Sequence, residues 1–100
     1  MTEQKRVISV AIVDDHDAIR FAFKAACAEF GFDFHGSAGT VSELLEQNPT
    51  LKCEVIVMDL SLADGSIVAE NVTALLKTGA QVVIFSIADK QSLVRAALKA

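Results

Sequence analysis

The sequence lacks three features that would each indicate a particular class of protein. It has two cysteines in 100 residues, Cys27 and Cys53. Their positions favour buried thiols in a reducing compartment over a disulfide, and they fit no metal-binding spacing. No apolar run reaches membrane length, and the first six residues lack the apolar segment of a signal peptide. The Lys and Arg residues are scattered and the net charge is −4, unlike a nucleic-acid-binding surface. We therefore expect a cytoplasmic globular domain that does not itself bind DNA or membranes.

Two short apolar runs that each end in carboxylates stand out in what remains. Residues 55–58 (VIVM) precede Asp59, and residues 10–13 (VAIV) precede Asp14 and Asp15. A β-branched run of this length without polar residues predicts a strand that is buried on both faces. Open α/β sheets bind their ligands beyond the carboxyl ends of the strands. If the two strands are neighbours, three carboxylates converge at one edge of a sheet.

Strand and helix patterns alternate along the whole chain. Asp17 is predicted as the N-cap of the first helix, which Gly31 ends. Thr40 and Glu43 have the spacing of a capping box at the start of the second helix. The predicted strands cover residues 7–13, 32–36, 54–59 and 81–86, and helices follow each of them, the last over 89–100. This alternation predicts a parallel sheet with helices on both faces and right-handed crossovers.

The apolar face of the first helix is predicted from helical spacing, and its members are Ile19, Ala22, Phe23, Ala26, Cys27 and Phe30. The strand at 81–86 is nearly all apolar, which suits an interior strand, since such an edge would be an aggregation hazard. The helical pattern still continues at Ala100. We expect a fifth strand and its helix to complete the fold, supplied by a longer parent chain or by a neighbouring copy.

Converging carboxylates need a partner of opposite charge. Like charges ~4 Å apart repel by about 4 kcal/mol at an effective dielectric constant near 20. Such a cluster raises a pKa or binds a cation, and a few carboxylate oxygens suit Mg²⁺. Solvated loop carboxylates are the alternative, and they explain Asp14 and Asp15 alone equally well. For all three carboxylates together, each of which follows an apolar strand, a shared functional site is the favoured interpretation.

Three other polar residues are considered for a role, namely Ser86 and His16 near these strand ends and His35 on the predicted strand 32–36. Ser86 ends the fourth strand, where its hydroxyl could bond a phosphoryl oxygen on Asp59 or only form a turn. His16 is interpreted as a partly exposed side chain beside the carboxylates rather than a metal ligand. His35 is interpreted as structural.

Residues 12–16 (IVDDH), 57–60 (VMDL) and 84–86 (IFS) together resemble the receiver domain of bacterial two-component response regulators. Three separate motifs fall at the ends of the appropriate strands with the spacing of that family. The Asp-Asp-His form, with Arg20 downstream, is similar to receivers joined to a helix-turn-helix DNA-binding domain. The resemblance implies a flavodoxin-like, doubly wound parallel sheet of order 2-1-3-4. Residues 1–100 would be one receiver domain, truncated after the fourth helix.

The resemblance also implies roles for the acidic residues. Asp59 would accept a phosphoryl group from a sensor histidine kinase. Asp14, Asp15 and Asp59 would hold Mg²⁺ together with the main-chain carbonyl of Ser61. Such a chain is a phosphoacceptor signalling domain and not an enzyme in the ordinary sense.

The remaining implications concern the switch and the partners. Ser86 would be the hydroxyl that turns onto the phosphoryl group. The family's lysine at the end of strand five would lie beyond Ala100, as would an output domain, expected to be transcriptional, and any contact with DNA. A homodimer is a further expectation.

Two other functions stay open at this point. The first is a binding or dimerisation module that keeps the receiver fold without being phosphorylated. The second is an Asp-nucleophile phosphatase, because residues 15–17 (DHD) have a DxD spacing. That class expects its nucleophile after the first strand and a larger domain with a cap, and it would leave Asp59 without a role.

Overall fold

A computed structural model of the chain describes residues 7–60, 62 and 65–85. Within these residues, strands and helices alternate as the sequence predicts. The elements are β1 (Ser9–Val13), α1 (Asp17–Phe30), β2 (Asp33–Ala38), α2 (Val41–Gln47), β3 (Val55–Asp59), α3 (Val68–Leu76) and β4 (Gln81–Phe85). The predicted helix over 89–100 lies outside the described residues.

The four strands form one parallel sheet in the order β2-β1-β3-β4. The predicted flavodoxin-like order 2-1-3-4 is therefore confirmed. β1 and β3 are direct neighbours, with Val13 opposite Met58. The residues that follow these two strands consequently leave the sheet side by side.

The core lies between the sheet and the helices α2 and α3. Successive strand residues point to opposite faces, so Ala11 and Val13 share one face of β1, as Ile56 and Met58 share one face of β3. These side chains are buried in one cluster with Leu44 of α2 and Leu75 of α3. Burying a leucine fully stabilises a fold by about 1.5–3 kcal/mol. The second and third helices therefore fix the sheet that carries the carboxylates.

The start of α1 differs from the prediction. His16, not Asp17, is the N-cap, with φ −94° and ψ 117°, and no side chain caps the helix there. Asp17 is already helical, and its carboxylate instead accepts a hydrogen bond from Arg20. The predicted N-cap is wrong because this guanidinium offers Asp17 a charged partner one turn along the helix.

Two further predictions need correction. β2 covers Asp33–Ala38 rather than 32–36, because its last residues pair with the end of β1, Val13 opposite Ala38. The apolar face of α1 is only partly covered, since Cys27 is its one buried residue and Phe30 is 70% exposed. Phe30 is the last residue of the helix and precedes the turn at Gly31, where φ is 80°. Only glycine adopts this left-handed conformation without strain.

The second helix begins as predicted. Thr40 is its N-cap, and the Thr40 hydroxyl accepts a hydrogen bond from the Glu43 amide at 3.0 Å. The Glu43 carboxylate reaches back to the amide of Gly39 at 3.1 Å, one residue before the amide that a capping box normally binds. Within the described residues, no helix has the length and apolar character needed to span a membrane.

Candidate functional site

The candidate site lies at the carboxyl edge of the sheet, where β1 and β3 end. The Asp14 amide donates a hydrogen bond to the carbonyl of Ala38 at 3.0 Å, which joins this residue to the end of β2. Asp59 pairs with Phe85 of β4, and the Leu60 amide donates to the Phe85 carbonyl at 2.8 Å. Both acidic residues are therefore held by main-chain bonds to the sheet. Their side chains are buried, at 0% exposure for Asp14 and 4% for Asp59.

Four side chains meet in this pocket. Asp14, Asp15, His16 and Asp59 each offer one ligand atom, and these atoms all lie within 4.8 Å of one another. Nδ1 of His16 is 2.8 Å from Oδ1 of Asp14, 3.1 Å from Oδ1 of Asp15 and 3.9 Å from Oδ2 of Asp59. The structure thus brings together the three carboxylates that the sequence analysis singled out. We call this group the acidic pocket.

The hydrogen bonds of Asp14 leave one of its oxygens without a partner. Oδ1 of Asp14 accepts from the His16 amide at 2.7 Å and lies 2.8 Å from Nδ1 of the same residue. Oδ2 of Asp14 is buried and has no hydrogen-bond partner. Oδ1 of Asp15 also lacks a hydrogen bond, although Nδ1 of His16 lies 3.1 Å from it. Leaving such an atom unpaired costs about 1–3 kcal/mol, and more when the group is charged. A divalent cation among these oxygens would offset that cost, so the residues present fit a metal ion.

His16 is the basic side chain that contacts all three carboxylates of the pocket. Its hydrogen bond to Asp14 raises the pKa of His16 above its ordinary 6.5, and the charges of Asp15, Asp14 and Asp59 raise the pKa further, against an opposing effect of desolvation. The ring is 53% exposed. The interpretation of His16 as a partly exposed neighbour of the carboxylates fits this position, but the sequence did not reveal the contact of its ring with three of them.

Arg20 holds the loop that carries the pocket. Its guanidinium donates to the main-chain carbonyl of Asp14 at 2.5 Å and to the carboxylate of Asp17. A Cβ at Gly39 would lie 3.6 Å from Nη1 of Arg20 and 3.9 Å from Cα of Asp15. The side chain of Arg20 therefore lies between the β1–α1 and β2–α2 loops. Sequence reasoning named Arg20 only within the family resemblance, although the i,i+3 spacing from Asp17 could have revealed this ion pair.

Three other residues from the sequence analysis lie outside the acidic pocket or outside the described part of the chain. Ser61 and Ser86 are not among the described residues, so their roles as metal ligand and switch hydroxyl stay predictions. His35 lies on the edge strand β2, where its Nε2 is 2.9 Å from the Asp33 carboxylate. It is not among the four residues of the acidic pocket.

The fold and the site together define a doubly wound α/β domain with an acidic pocket at the point where the strand order reverses, the usual ligand position in this architecture. No family model matches the chain, and no curated protein matches it. Solved structures do match, and they include receiver domains of response regulators. The chain has the fold of a response regulator receiver domain.

Three of these structures illustrate the range of the similarity. The receiver domain of the PhyR response regulator from Erythrobacter litoralis has 25% identity and a TM-score of 0.69, with 80% of this chain and 63% of that chain covered. The receiver domain of a modulated diguanylate cyclase from Desulfovibrio desulfuricans G20 has 16% identity and a TM-score of 0.74, with 93% of this chain and 75% of that chain covered. The isolated receiver domain of RcsB from Salmonella enterica serovar Typhimurium has 17% identity and a TM-score of 0.65, with 94% of this chain and 72% of that chain covered. The chain thus spans less than two thirds of the PhyR domain.

Proposed function

We propose that this chain is a phosphoryl-accepting signalling domain in which Asp59 takes the phosphoryl group from a histidine kinase. The observation that carries the proposal is the position of the Asp59 carboxylate, buried at the carboxyl edge of the sheet within 4.8 Å of ligand atoms of Asp14 and Asp15. Receiver domains are signalling domains, and the fold agrees with that role.

The chemistry asks little of the protein beyond positioning and charge. A carboxylate oxygen of Asp59 attacks the phosphorus of a phosphohistidine, the P–N bond breaks, and the imidazole leaving group takes up a proton. The product is an acyl phosphate on Asp59. Asp14, Asp15 and Asp59 would hold Mg²⁺, which supplies positive charge between a carboxylate and an incoming phosphoanion.

The finer parts of the proposal rest on the family resemblance. They are the Ser61 carbonyl as a further metal ligand, Ser86 as the hydroxyl that follows the phosphoryl group, and a phosphoryl charge of about −1.5 to −2 that moves the surrounding loop. The similar protein MaeR was solved with beryllium trifluoride, and RcsB was solved as dimers on DNA. We propose by analogy a cytoplasmic chain that acts through an output domain or DNA contacts outside residues 1–100, and that pairs with a second copy.

Incubation of the chain with acetyl phosphate and Mg²⁺, followed by intact mass spectrometry, tests this proposal. We expect a mass gain of one phosphoryl group that disappears in Asp59→Asn and without Mg²⁺. Asp33→Asn is the matched control, since Asp33 is an exposed carboxylate on β2 that pairs with His35. A gain that persists in Asp59→Asn would refute the assignment.

A receiver-fold binding module without phosphorylation is the second candidate. Val83 and Ile84 of β4 are 49% and 45% exposed, which gives the sheet an apolar surface for a second copy. The presence or absence of the mass gain distinguishes the two candidates, and sedimentation of the untreated chain tests whether this surface forms a dimer. Concentration-dependent dimers together with no mass gain would favour the binding module.

A further inference from the structure

We infer that Arg20 is a positioning residue of the acidic pocket, which fixes the direction of Asp15 and thereby sets the affinity of the pocket for Mg²⁺. Arg20 acts through the main chain of the loop between β1 and α1 and is not itself a ligand. This inference rests on the proposed function, because it assigns a further residue to the Mg²⁺ site on which that function depends.

Asp15 is the carboxylate of the pocket that the fold holds least directly. Asp14 donates its amide to the end of β2, and Asp59 is the last residue of β3, so the sheet fixes both of them. Asp15 lies in the loop between β1 and α1, where its side chain is 25% exposed and its Oδ1 has no hydrogen bond. The direction of this carboxylate therefore depends on how the main chain of the loop is held.

Arg20 binds the main chain of this loop on both sides of Asp15. Its Nη1 donates a hydrogen bond to the Asp14 carbonyl at 2.5 Å, and its main-chain amide donates to the His16 carbonyl at 3.1 Å. A peptide unit is planar, so holding the Asp14 carbonyl fixes the plane of the peptide that joins Asp14 to Asp15. One residue therefore determines how the chain enters and leaves Asp15.

The Arg20 side chain is itself held in one direction. Its Nη2 donates to the carboxylate of Asp17, and the side chain is 23% exposed. A guanidinium presents its donors in a rigid, planar fork, so the ion pair through one nitrogen aims the other nitrogen at the Asp14 carbonyl. Gly39 leaves room for this fork, since a Cβ there would lie 3.6 Å from Nη1.

Charge and positioning predict opposite results for the loss of this side chain. A guanidinium near a cation site repels the cation, so its removal would by itself strengthen Mg²⁺ binding. Loss of the donor instead leaves the Asp14 carbonyl without its partner and frees the peptide that directs Asp15, which should weaken Mg²⁺ binding. Residues that orient metal ligands from outside the coordination sphere typically change metal affinity by about 10- to 100-fold. The sign of the change therefore shows which effect is larger.

Isothermal titration calorimetry of the whole chain with MgCl₂ measures this sign. We expect Arg20→Ala to weaken Mg²⁺ binding by at least about tenfold. Arg20→Lys keeps the charge and the aliphatic stem but loses the fork of donors, so it should recover only part of the affinity. Lys24→Ala is the matched control, because it removes the same charge from the same helix at a side chain that lies over the Phe34 ring. It should not weaken Mg²⁺ binding.

Phosphorylation by acetyl phosphate separates positioning from a direct part in the chemistry. In Arg20→Ala, the Mg²⁺ concentration that gives half of the maximal rate should rise by the same factor as the dissociation constant. The rate at saturating Mg²⁺ should stay within about threefold of the wild-type rate, since a bound cation holds the Asp15 carboxylate in place. A large fall in the rate at saturating Mg²⁺ would overturn the assignment of Arg20 as a positioning residue.

Hydrogen exchange in the metal-free chain, followed by nuclear magnetic resonance, gives a measurement that needs neither Mg²⁺ nor phosphorylation. The His16 amide donates to Oδ1 of Asp14 at 2.7 Å. It should lose protection in Arg20→Ala, because the preceding peptide is freed. The Asp14 amide, which is bonded to Ala38 of β2, should keep its protection.

The outcomes distinguish this inference from the proposed function. Unchanged or tighter Mg²⁺ binding in Arg20→Ala, full recovery in Arg20→Lys, or an equal loss in Lys24→Ala would overturn the inference and leave the proposed function intact. Arg20→Lys alone decides the matter if Arg20→Ala does not fold, since Mg²⁺ affinity equal to that of wild type would then refute positioning by the fork. Absence of Mg²⁺ binding in the wild-type chain would overturn both.

Discussion

Neutralising one carboxylate of the acidic pocket should make the metal-free protein more stable. In Asp59→Asn, the new amide has nearly the shape of the carboxylate but no charge. The ligand atoms of Asp14 and Asp15 lie within 4.8 Å of that of Asp59. A pair of unit charges at this separation repels by about 3.5 kcal/mol at an effective dielectric constant near 20. Asp59 takes part in two such pairs.

Two effects reduce the gain in free energy of unfolding. Asp15 is 25% exposed, so water screens its charge, and a protonated His16 ring, 3.9 Å from Oδ2 of Asp59, attracts the carboxylate. We therefore expect Asp59→Asn to gain at least about 1 kcal/mol, which for a domain of this size corresponds to a rise of at least about 4 °C in Tm. The gain should grow as the pH rises above 6.5 through the raised folded-state pKa of His16, since a deprotonated ring no longer offsets the repulsion.

Urea unfolding in EDTA at low ionic strength, followed by circular dichroism, is the appropriate assay because the chain has no Trp or Tyr to report by fluorescence. Asp33→Asn is again the control and should change the free energy of unfolding by less than about 0.5 kcal/mol. If Asp59→Asn is no more stable than wild type in EDTA, the three carboxylates do not repel one another and the reasoning from charge fails.

Three further outcomes can be measured on the same protein. The raised pKa of His16 contributes stability that is complete below pH 6.5 and is lost as the pH rises through the folded-state pKa. Unfolding measured as a function of pH should therefore show the stability of wild type falling above pH 6.5. His16→Ala should reduce this fall. Thr40→Ala removes the hydroxyl that caps α2 and should cost about 1 kcal/mol in urea unfolding; an unchanged midpoint would show that the cap is replaced. Leu75→Ala empties a fully buried position and should cost about 2–5 kcal/mol, whereas Leu76→Ala, at a half-exposed neighbour, should cost much less by the same measurement.

Most of the fold could be predicted from the pattern of apolar residues in the sequence. The apolar runs 10–13 and 55–58 predicted the two central strands because a strand buried on both faces tolerates few polar residues. The predicted strand order makes these two strands neighbours. Asp14 and Asp59, which follow or end them, therefore lie side by side. The cap at Thr40 was equally local, since it depends on a side chain and an amide three residues apart.

Contacts between segments that are far apart in the sequence determine the features that the sequence patterns did not predict. The end of β2 is fixed by pairing of Ala38 with Val13, and the register shifts between Val10 and Ala11, neither of which a local pattern encodes. Asp17 has a side chain that is suited to capping a helix, but its carboxylate accepts a hydrogen bond from Arg20 instead. A loop residue can turn its side chain in many directions, so only coordinates show that the His16 ring faces three carboxylates.

The shared pocket formed by the ends of β1 and β3 can be tested most directly by titrating the isotope-labelled chain with Mn²⁺ and recording the loss of amide signals near the bound ion. We expect the signals of Asp14, Asp15 and Asp59 to broaden together at the lowest Mn²⁺ concentrations, while those of Asp33 and His35 remain sharp. Broadening at only one of the two strand ends, or first at the edge strand, would contradict a common cation site.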